Sequence, residues 1–192
     1  MTASRAQEDR QLVTAFLDGD HAAFDEIMTA HEGRVFSLCL RIMRQREAAL
    51  DAVQETFITV FRKAHMYNGE SAFSTWLYRV ATNTCYDQLR KQKRRRTEAV
   101  PEGRDPADAR SQDEFVAIEL RPDLTVALAN LPEEFRSAVV LSDVEGLPLG
   151  EVAVVLDIPI GTVKSRVFRG RKLLAKNLRN FCGDPKRQNN NA

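Results

Sequence analysis

Apolar side chains recur along this chain at helical rather than strand spacing. In residues 22–43, Phe24, Ile27, Met28, Val35, Leu38 and Ile42 keep a mostly i, i+3, i+4 rhythm, and Asp20 stands just before them. Residues 47–65 place Leu50, Val53, Phe57, Val60, Phe61 and Ala64 on one stripe. That stripe ends at MYNGES, residues 66–71, where Asn68-Gly69 signals a turn. A third helix starts near Ser71 or Ala72, with Phe73, Trp76, Leu77, Val80, Ala81, Thr84 and Cys85 on its apolar face. It leads into RKQKRRR, residues 90–96, six of whose seven side chains are basic. Periodicity then stops. Residues 98–123 contain Pro101 and Pro106 and read as a linker, with a short helix at Phe115–Leu120. Beyond it Pro132 takes the first position of a helix that Gly146 stops. A short helix covers about 148–156, a break falls at DIPIG, 157–161, and a last helix runs from Thr162 to about 179. No strand pattern and no repeat stand out. The expected fold is all-α: two small helical domains, 1–97 and 124–180, joined by a flexible acidic linker, the second containing a helix-turn-helix, with 181–192 a disordered tail.

Composition adds to this picture mainly through where the charges lie. Hydrophobic residues make up 43% of the 192, enough for packed cores. The formal net charge of +1 argues superficially against nucleic acid. By segment, however, residues 1–97 carry +3, residues 98–123 carry −5 and residues 124–192 carry +3. Three cysteines, Cys39, Cys85 and Cys182, form no CxxC and no even framework, which suits a reducing compartment. Cys39 and Cys85 lie in apolar patterns and read as core thiols. The N-terminus is polar and no apolar run nears the ~20 residues of a membrane span, so a cytoplasmic protein without membrane insertion is expected.

Residues 149–172, LGEVAVVLDIPIGTVKSRVFRGRK, fit a helix-turn-helix. The reading buries Leu149, Val152, Ala153 and Leu156 in the first helix and lets Ile158 plug the turn. Pro159 and Gly161 stop that helix, Thr162 caps the second, and Val163 and Val167 pin it to the core. The free side then carries Lys164, Arg166, Arg169, Arg171, Lys172 and Lys176, with no acid from 162 to 179. A helix fits the major groove with its first turns at the base edges, which puts Thr162, Lys164, Ser165 and Arg166 nearest the bases and Arg169 along phosphates. Asp157 departs from the generic pattern at a turn position that is often Gly, and Arg166 stands where many repressors have an apolar residue.

In the first block Asp51, Gln54 and Glu55 share one helix face, away from Val53, Phe57 and Val60, and are free to meet a partner. Residues 67–96 combine a turn edged by Tyr67, a helix bearing Arg79, Asn83 and Arg90, and a basic end; aromatics beside positive charge suit unstacked single-stranded bases. Trp76 lies on the apolar stripe with Phe73 and Val80, which favours a core role over that of a melting wedge.

These strings resemble the extracytoplasmic-function (group 4) sigma factors of bacterial RNA polymerase. DAVQETF, 51–57, is similar to the segment that grips the clamp helices of the polymerase's largest subunit, and SAFSTWLYRVATNTCYDQLRK, from Ser71, to the melting and minus-10 region. LPEEFRSAVVLSDVEGLPLGEVAVVLDIPIGTVKSRVFRGRK, from Leu131, is similar to the minus-35 reader. The resemblance covers about 20–97 and 124–178 in the family's order. It implies that Asp51, Gln54 and Glu55 bind core polymerase. It further implies that Tyr67, Asn68, Gly69, Glu70 and Ser71 form a loop capturing a flipped non-template base, with Asn83 lining the pocket and Arg79 and Arg90 on the DNA side. Thr162, Lys164, Ser165, Arg166 and Arg169 would read the minus-35 element. Core polymerase, promoter DNA and an anti-sigma factor are the implied partners, and a stress or envelope response the implied setting.

A linker of about 26 residues reaches roughly 85 Å extended, and elements ~20 base pairs apart lie about 70 Å from each other. One chain can therefore span both. His21, His31 and His65 are too scattered for a metal site, and no nucleophile set, phosphate-cradling glycine loop or carboxylate pair stands out. No cofactor is expected, and catalysis would belong to the polymerase. The competing reading is an autonomous helix-turn-helix transcriptional regulator.

Overall fold

The computed structural model of the chain describes residues 2–99 and 122–182. The described residues form α-helices and short 3₁₀ and π turns, with no strand among them, and belong to two compact units. Most of the expected linker, its helix at Phe115–Leu120 and the tail from residue 183 lie outside the described residues.

Unit 1 holds α1 (Thr2–Leu17), α2 (His21–Met43), α3 (Arg46–Lys63) and α4 (Phe73–Ala99). Asp20 caps α2, its carboxylate accepting from the Ala22 N–H at 3.0 Å. Arg44, in the left-handed region, closes that helix with its N–H on the Leu40 carbonyl. A 3₁₀ turn, Ala64–Met66, follows α3. Ile27, Leu38, Ile42, Val60, Phe73 and Leu77 are fully buried between these helices.

Three expectations change in this unit. Helix α1 has no counterpart in the periodicity. Only Val13 and Phe16 of its apolar side chains are described as buried, and its other internal anchor is polar: Asp9 meets the Nε2 of buried His31 at 2.9 Å. Scattered in sequence, His31 is a core residue in space. On α3 the single expected stripe divides: Val53, Phe57 and Val60 are buried, but Leu50 stays 48% and Phe61 46% exposed. The buried arc is centred on Ala49, Ala52, Thr56 and Val60, where α2 and α4 cover the helix, so Leu50 and Phe61 fall at its margin. On α4, Trp76, Val80 and Thr84 are only half-buried, whereas Thr75, Tyr78 and Thr82 are buried with Phe73, Leu77, Ala81 and Cys85. Contacts from α1 as well as from α2 and α3 turn the buried arc away from Trp76.

Unit 2 holds α5 (Pro122–Ala129), α6 (Glu133–Val139), α7 (Leu149–Leu156) and α8 (Ile160–Cys182). Helix α5, eight residues long, is too short to show a period and was not expected. Pro132 stands just outside α6, not at its first turn, and its carbonyl takes the N–H groups of Phe135 and Arg136. The helix widens into a π turn at Val140–Val144 and ends at Gly146, whose φ of 70° is left-handed as the stop required. Gly170 of α8 is buried against α6: a methyl there would meet Val139 Cγ2 at 2.5 Å and the Phe135 carbonyl at 3.3 Å.

Candidate nucleic-acid interface

Helices α7 and α8 form the expected helix-turn-helix, but the turn works differently from the sequence expectation. Helix α7 ends because Asp157 adopts the left-handed conformation (φ 53°, ψ 47°), its N–H bonding the Ala153 carbonyl. A short Asx side chain tolerates that geometry, so Asp157 fills the usual glycine's role. Helix α8 then starts at Ile160, with the Pro159 carbonyl accepting from Thr162 at 2.8 Å and Val163 at 3.1 Å. Thr162 is therefore inside the first turn and not the cap, and Gly161 is helical. Val152, Val155 and Leu156 are the buried residues of α7; Leu149 and Ala153 are half-buried.

Val163, Val167 and Gly170 define the buried face of α8. Opposite them stand Lys164, Ser165, Phe168, Arg169 and Lys172, all exposed, while Thr162 and Arg166 are half-buried on the flank. The Ser165 hydroxyl donates to the Thr162 carbonyl at 2.9 Å, in the helix's own first turns. Phe168 is 70% exposed, a large apolar ring among cations that the basic-face argument overlooked. Its signal was present: Phe168 falls one turn after Lys164 and one residue past the core position Val167. Arg171 leaves the cationic face. It makes a two-pronged ion pair with Asp143 of the π turn (Nη2–Oδ1 2.6 Å, Nε–Oδ2 2.8 Å), which ties α8 to α6. The guanidinium, helped by the Ser142 hydroxyl, holds the Asp143 carboxyl below its ordinary value against the opposing effect of burial.

In unit 1 the loop between the 3₁₀ turn and α4 is closed from within. The Tyr67 hydroxyl donates to the Ser71 carbonyl at 2.8 Å, and Asn68 Oδ1 accepts from the Glu70 N–H at 3.2 Å. Gly69, at φ 74°, makes the bend. The half-buried Tyr67 ring sits 5.4 Å from Phe73 and 5.8 Å from Trp76, centroid to centroid. Asn68 and Glu70 are exposed; Gly69 and Ser71 are half-buried. On α4, half-buried Arg79 and exposed Asn83 and Arg90 share a face at i, i+4 and i+11, and Arg90 pairs with Asp87 at 3.2 Å. Tyr86, at i+7, stands on the same face and escaped the sequence argument. Asn83 lies seven residues past Trp76, two turns and about 10.5 Å further along the same side of α4.

On α3, Asp51, Gln54 and Glu55 are all exposed. Gln54 also lines an open groove of about 700 Å³ with Phe24, Met28, Leu50, Phe57 and Phe61. Gln54 thus lies at an apolar trough that Leu50 and Phe61, the two residues left outside the core stripe, help to line.

The fold is that of a helix-turn-helix DNA-binding protein with a second helical unit. Residues 27–95 match Sigma-70 region 2 and residues 122–174 match Sigma-70 region 4. The ECF RNA polymerase sigma factor SigE of Mycolicibacterium smegmatis is 42% identical over 174 residues, which cover 86% of this chain and 67% of that protein. The ECF RNA polymerase sigma-E factor of Haemophilus influenzae is 34% identical over 176 residues, covering 86% and 93%. Among solved structures, the sigma factor RpoE in complex with the anti-sigma factor NepR from Bartonella quintana has TM-score 0.67 and 25% identity, covering 81% of this chain and 96% of that one. The chain belongs to the extracytoplasmic-function sigma factors of bacterial RNA polymerase. Its function is promoter-directed transcription initiation, and the regulator reading is not favoured, since unit 1 matches sigma region 2. No described helix is long and apolar enough to cross a membrane.

Proposed function

We propose a division of labour among the three surfaces. Asp51, Gln54 and Glu55, with the groove between Leu50 and Phe61, dock on core polymerase. The loop Tyr67–Ser71 and the α4 face of Arg79, Asn83, Tyr86 and Arg90 receive the unpaired minus-10 strand, where a ring offers stacking and an amide reads a base edge. Helix α8 enters the major groove at the minus-35 element. There Lys164, Ser165 and Arg169 meet bases and phosphates, and Phe168 offers an apolar contact of the kind a thymine methyl takes. The factor works in the cytoplasm, where polymerase does, in a stress or envelope response, and an anti-sigma factor covers its docking surfaces. The neighbour held by NepR supports that last assignment. Catalysis belongs to the polymerase.

The observation that carries the docking assignment is the pairing of exposed polar residues with an exposed apolar trough on α3. None of Asp51, Gln54 and Glu55 is in the core, so Gln54→Ala with Glu55→Ala should leave the thermal melt near wild type and weaken capture of core polymerase. Unchanged capture would reduce the face to solvated surface. For the loop, permanganate footprinting of unpaired thymines should fall with Asn83→Ala while holoenzyme still assembles.

A further inference from the structure

Helix α1 precedes the segment that matches sigma region 2, yet it holds the minus-10 loop from outside. The Arg10 Nη2 donates to the Gly69 carbonyl at 2.8 Å, 59 residues away in sequence and at the bend of the loop. Gly69 is the residue whose left-handed backbone turns the chain, so fixing its carbonyl fixes the direction in which Asn68 and Glu70 point. Inside the loop, the Tyr67 hydroxyl on the Ser71 carbonyl closes the other side.

The helix that carries Arg10 is itself anchored. Asp9, the adjacent residue, is buried and meets His31 Nε2 at 2.9 Å. The His31 ring packs edge-on against Phe73 at 5.5 Å, and Phe73 packs against Tyr67 at 5.4 Å. Arg5 Nη2 donates to the Ala30 carbonyl at 2.8 Å, a further tie to α2. Two routes, one by hydrogen bond and one by packed rings, therefore run from two adjacent residues of α1 to the bend and to the first residue of one loop.

We propose that α1 is a brace for the minus-10 loop and that Arg10 is a positioning residue for capture of unpaired DNA. It sets the loop's shape before the strand arrives and does not touch the strand. This rests on the assignment of the loop given above.

The test compares Arg10→Ala and Arg10→Lys in the full chain assembled with core polymerase. The probe is a fluorescent single-stranded oligonucleotide carrying the minus-10 segment of a promoter that the holoenzyme opens. Arg10→Ala should leave core affinity unchanged and lower probe affinity roughly three- to tenfold, the effect of one neutral-acceptor hydrogen bond. Lysine, which also reaches a carbonyl, should restore most of it. The slope of log affinity against log salt should stay at the wild-type value. Without any DNA, amide exchange at residues 68–71 should quicken in Arg10→Ala and return toward wild type in Arg10→Lys. A slope shallower by about 0.7 would show that Arg10 binds a phosphate instead. Wild-type probe affinity with Arg10→Ala, while Asn83→Ala still weakens binding, would overturn the brace alone. Wild-type affinity with Arg10→Ala, Tyr67→Ala and Asn83→Ala would overturn the loop assignment with it.

Discussion

Unit 1 packs rings where unit 2 packs small aliphatic side chains, and the two cores serve different tasks. In unit 1, Phe16, Phe24 and Phe61 lie 5.0–5.1 Å apart, centroid to centroid, and Phe73 contacts both Tyr67 and His31. In unit 2 the described core is Ala127, Leu128, Ala129, Leu131, Ala138, Val139, Val140, Leu141, Val152, Val155, Leu156, Val163 and Val167, and no described aromatic residue is buried. At the margin of the ring-rich core, Leu50 and Phe61 stay half outside and line an open trough. Small side chains let helices approach closely, so Gly170 of α8 lies on Val139 of α6. On the proposed division of labour, the first core borders the docking surface and the second carries the reading head.

The sharpest way to break this comparison is to remove a ring. Phe73 is fully buried and joins His31, Tyr67 and Trp76. Phe73→Ala should cost about 3–5 kcal/mol and, by urea denaturation, should unfold unit 1 while minus-35 duplex binding by unit 2 survives. Next in size is the reverse insult, adding a methyl where unit 2 has none. Gly170→Ala should cost about 1–3 kcal/mol by overpacking, lowering the melting transition of unit 2 and minus-35 affinity with core binding retained. A flat response to Gly170→Ala would show that α6 and α8 slide apart easily and that the reading head is not rigid.

Smaller effects sharpen the description of the reading head. Arg169 is exposed on the outermost face of α8 and Arg166 is half-buried on the flank. Arg169→Ala should therefore cost more of the preference for the cognate minus-35 sequence, about 1–3 kcal/mol if it contacts a base, than Arg166→Ala. Competition binding against random duplex measures both, and the opposite ranking would place the groove on the other flank. The smallest effect belongs to the Asp143–Arg171 pair, which is partly exposed and screened by salt, worth about 0.2–1 kcal/mol. Asp143 is lowered in the folded state, so the stability it adds is present above its ordinary value of 3.8 and is lost as pH falls through the lower folded value. Asp143→Asn should flatten that acid limb in a pH series of melting curves; an unchanged limb would assign it to other carboxylates.

Much of this architecture was legible in the chain because amphipathic helices announce themselves. Asp20, Asn68-Gly69 and Gly146 mark a helix start, a turn and a stop that the structure contains, and Val163 with Val167 placed α8 on its core. What escaped was short or held by polar contacts. Helix α5 has too few residues for a period, and α1 is anchored partly through Asp9, which no sequence pattern marks, and His31, one of three scattered histidines. The Thr162 cap failed because the break after α7 is shorter than expected: α8 begins at Ile160, and the Pro159 carbonyl takes the Thr162 and Val163 N–H groups.

Residue order alone determined that the chain is helical, that its charges are divided into two basic blocks about an acidic one, and that α8 carries cations without acids. These follow from spacing and side-chain type, which are local properties. Only the tertiary structure decided which member of each set faces outward. Leu50 and Phe61 have the spacing of core residues but lie where α2 and α4 no longer cover α3. Arg171 has the charge of a DNA contact but lies within reach of Asp143, 28 residues earlier. Arg10 looks like any surface cation until the bend at Gly69 is brought to it. An exposed position is defined by the absence of a neighbour, and neighbours from distant segments are fixed only when the helices pack.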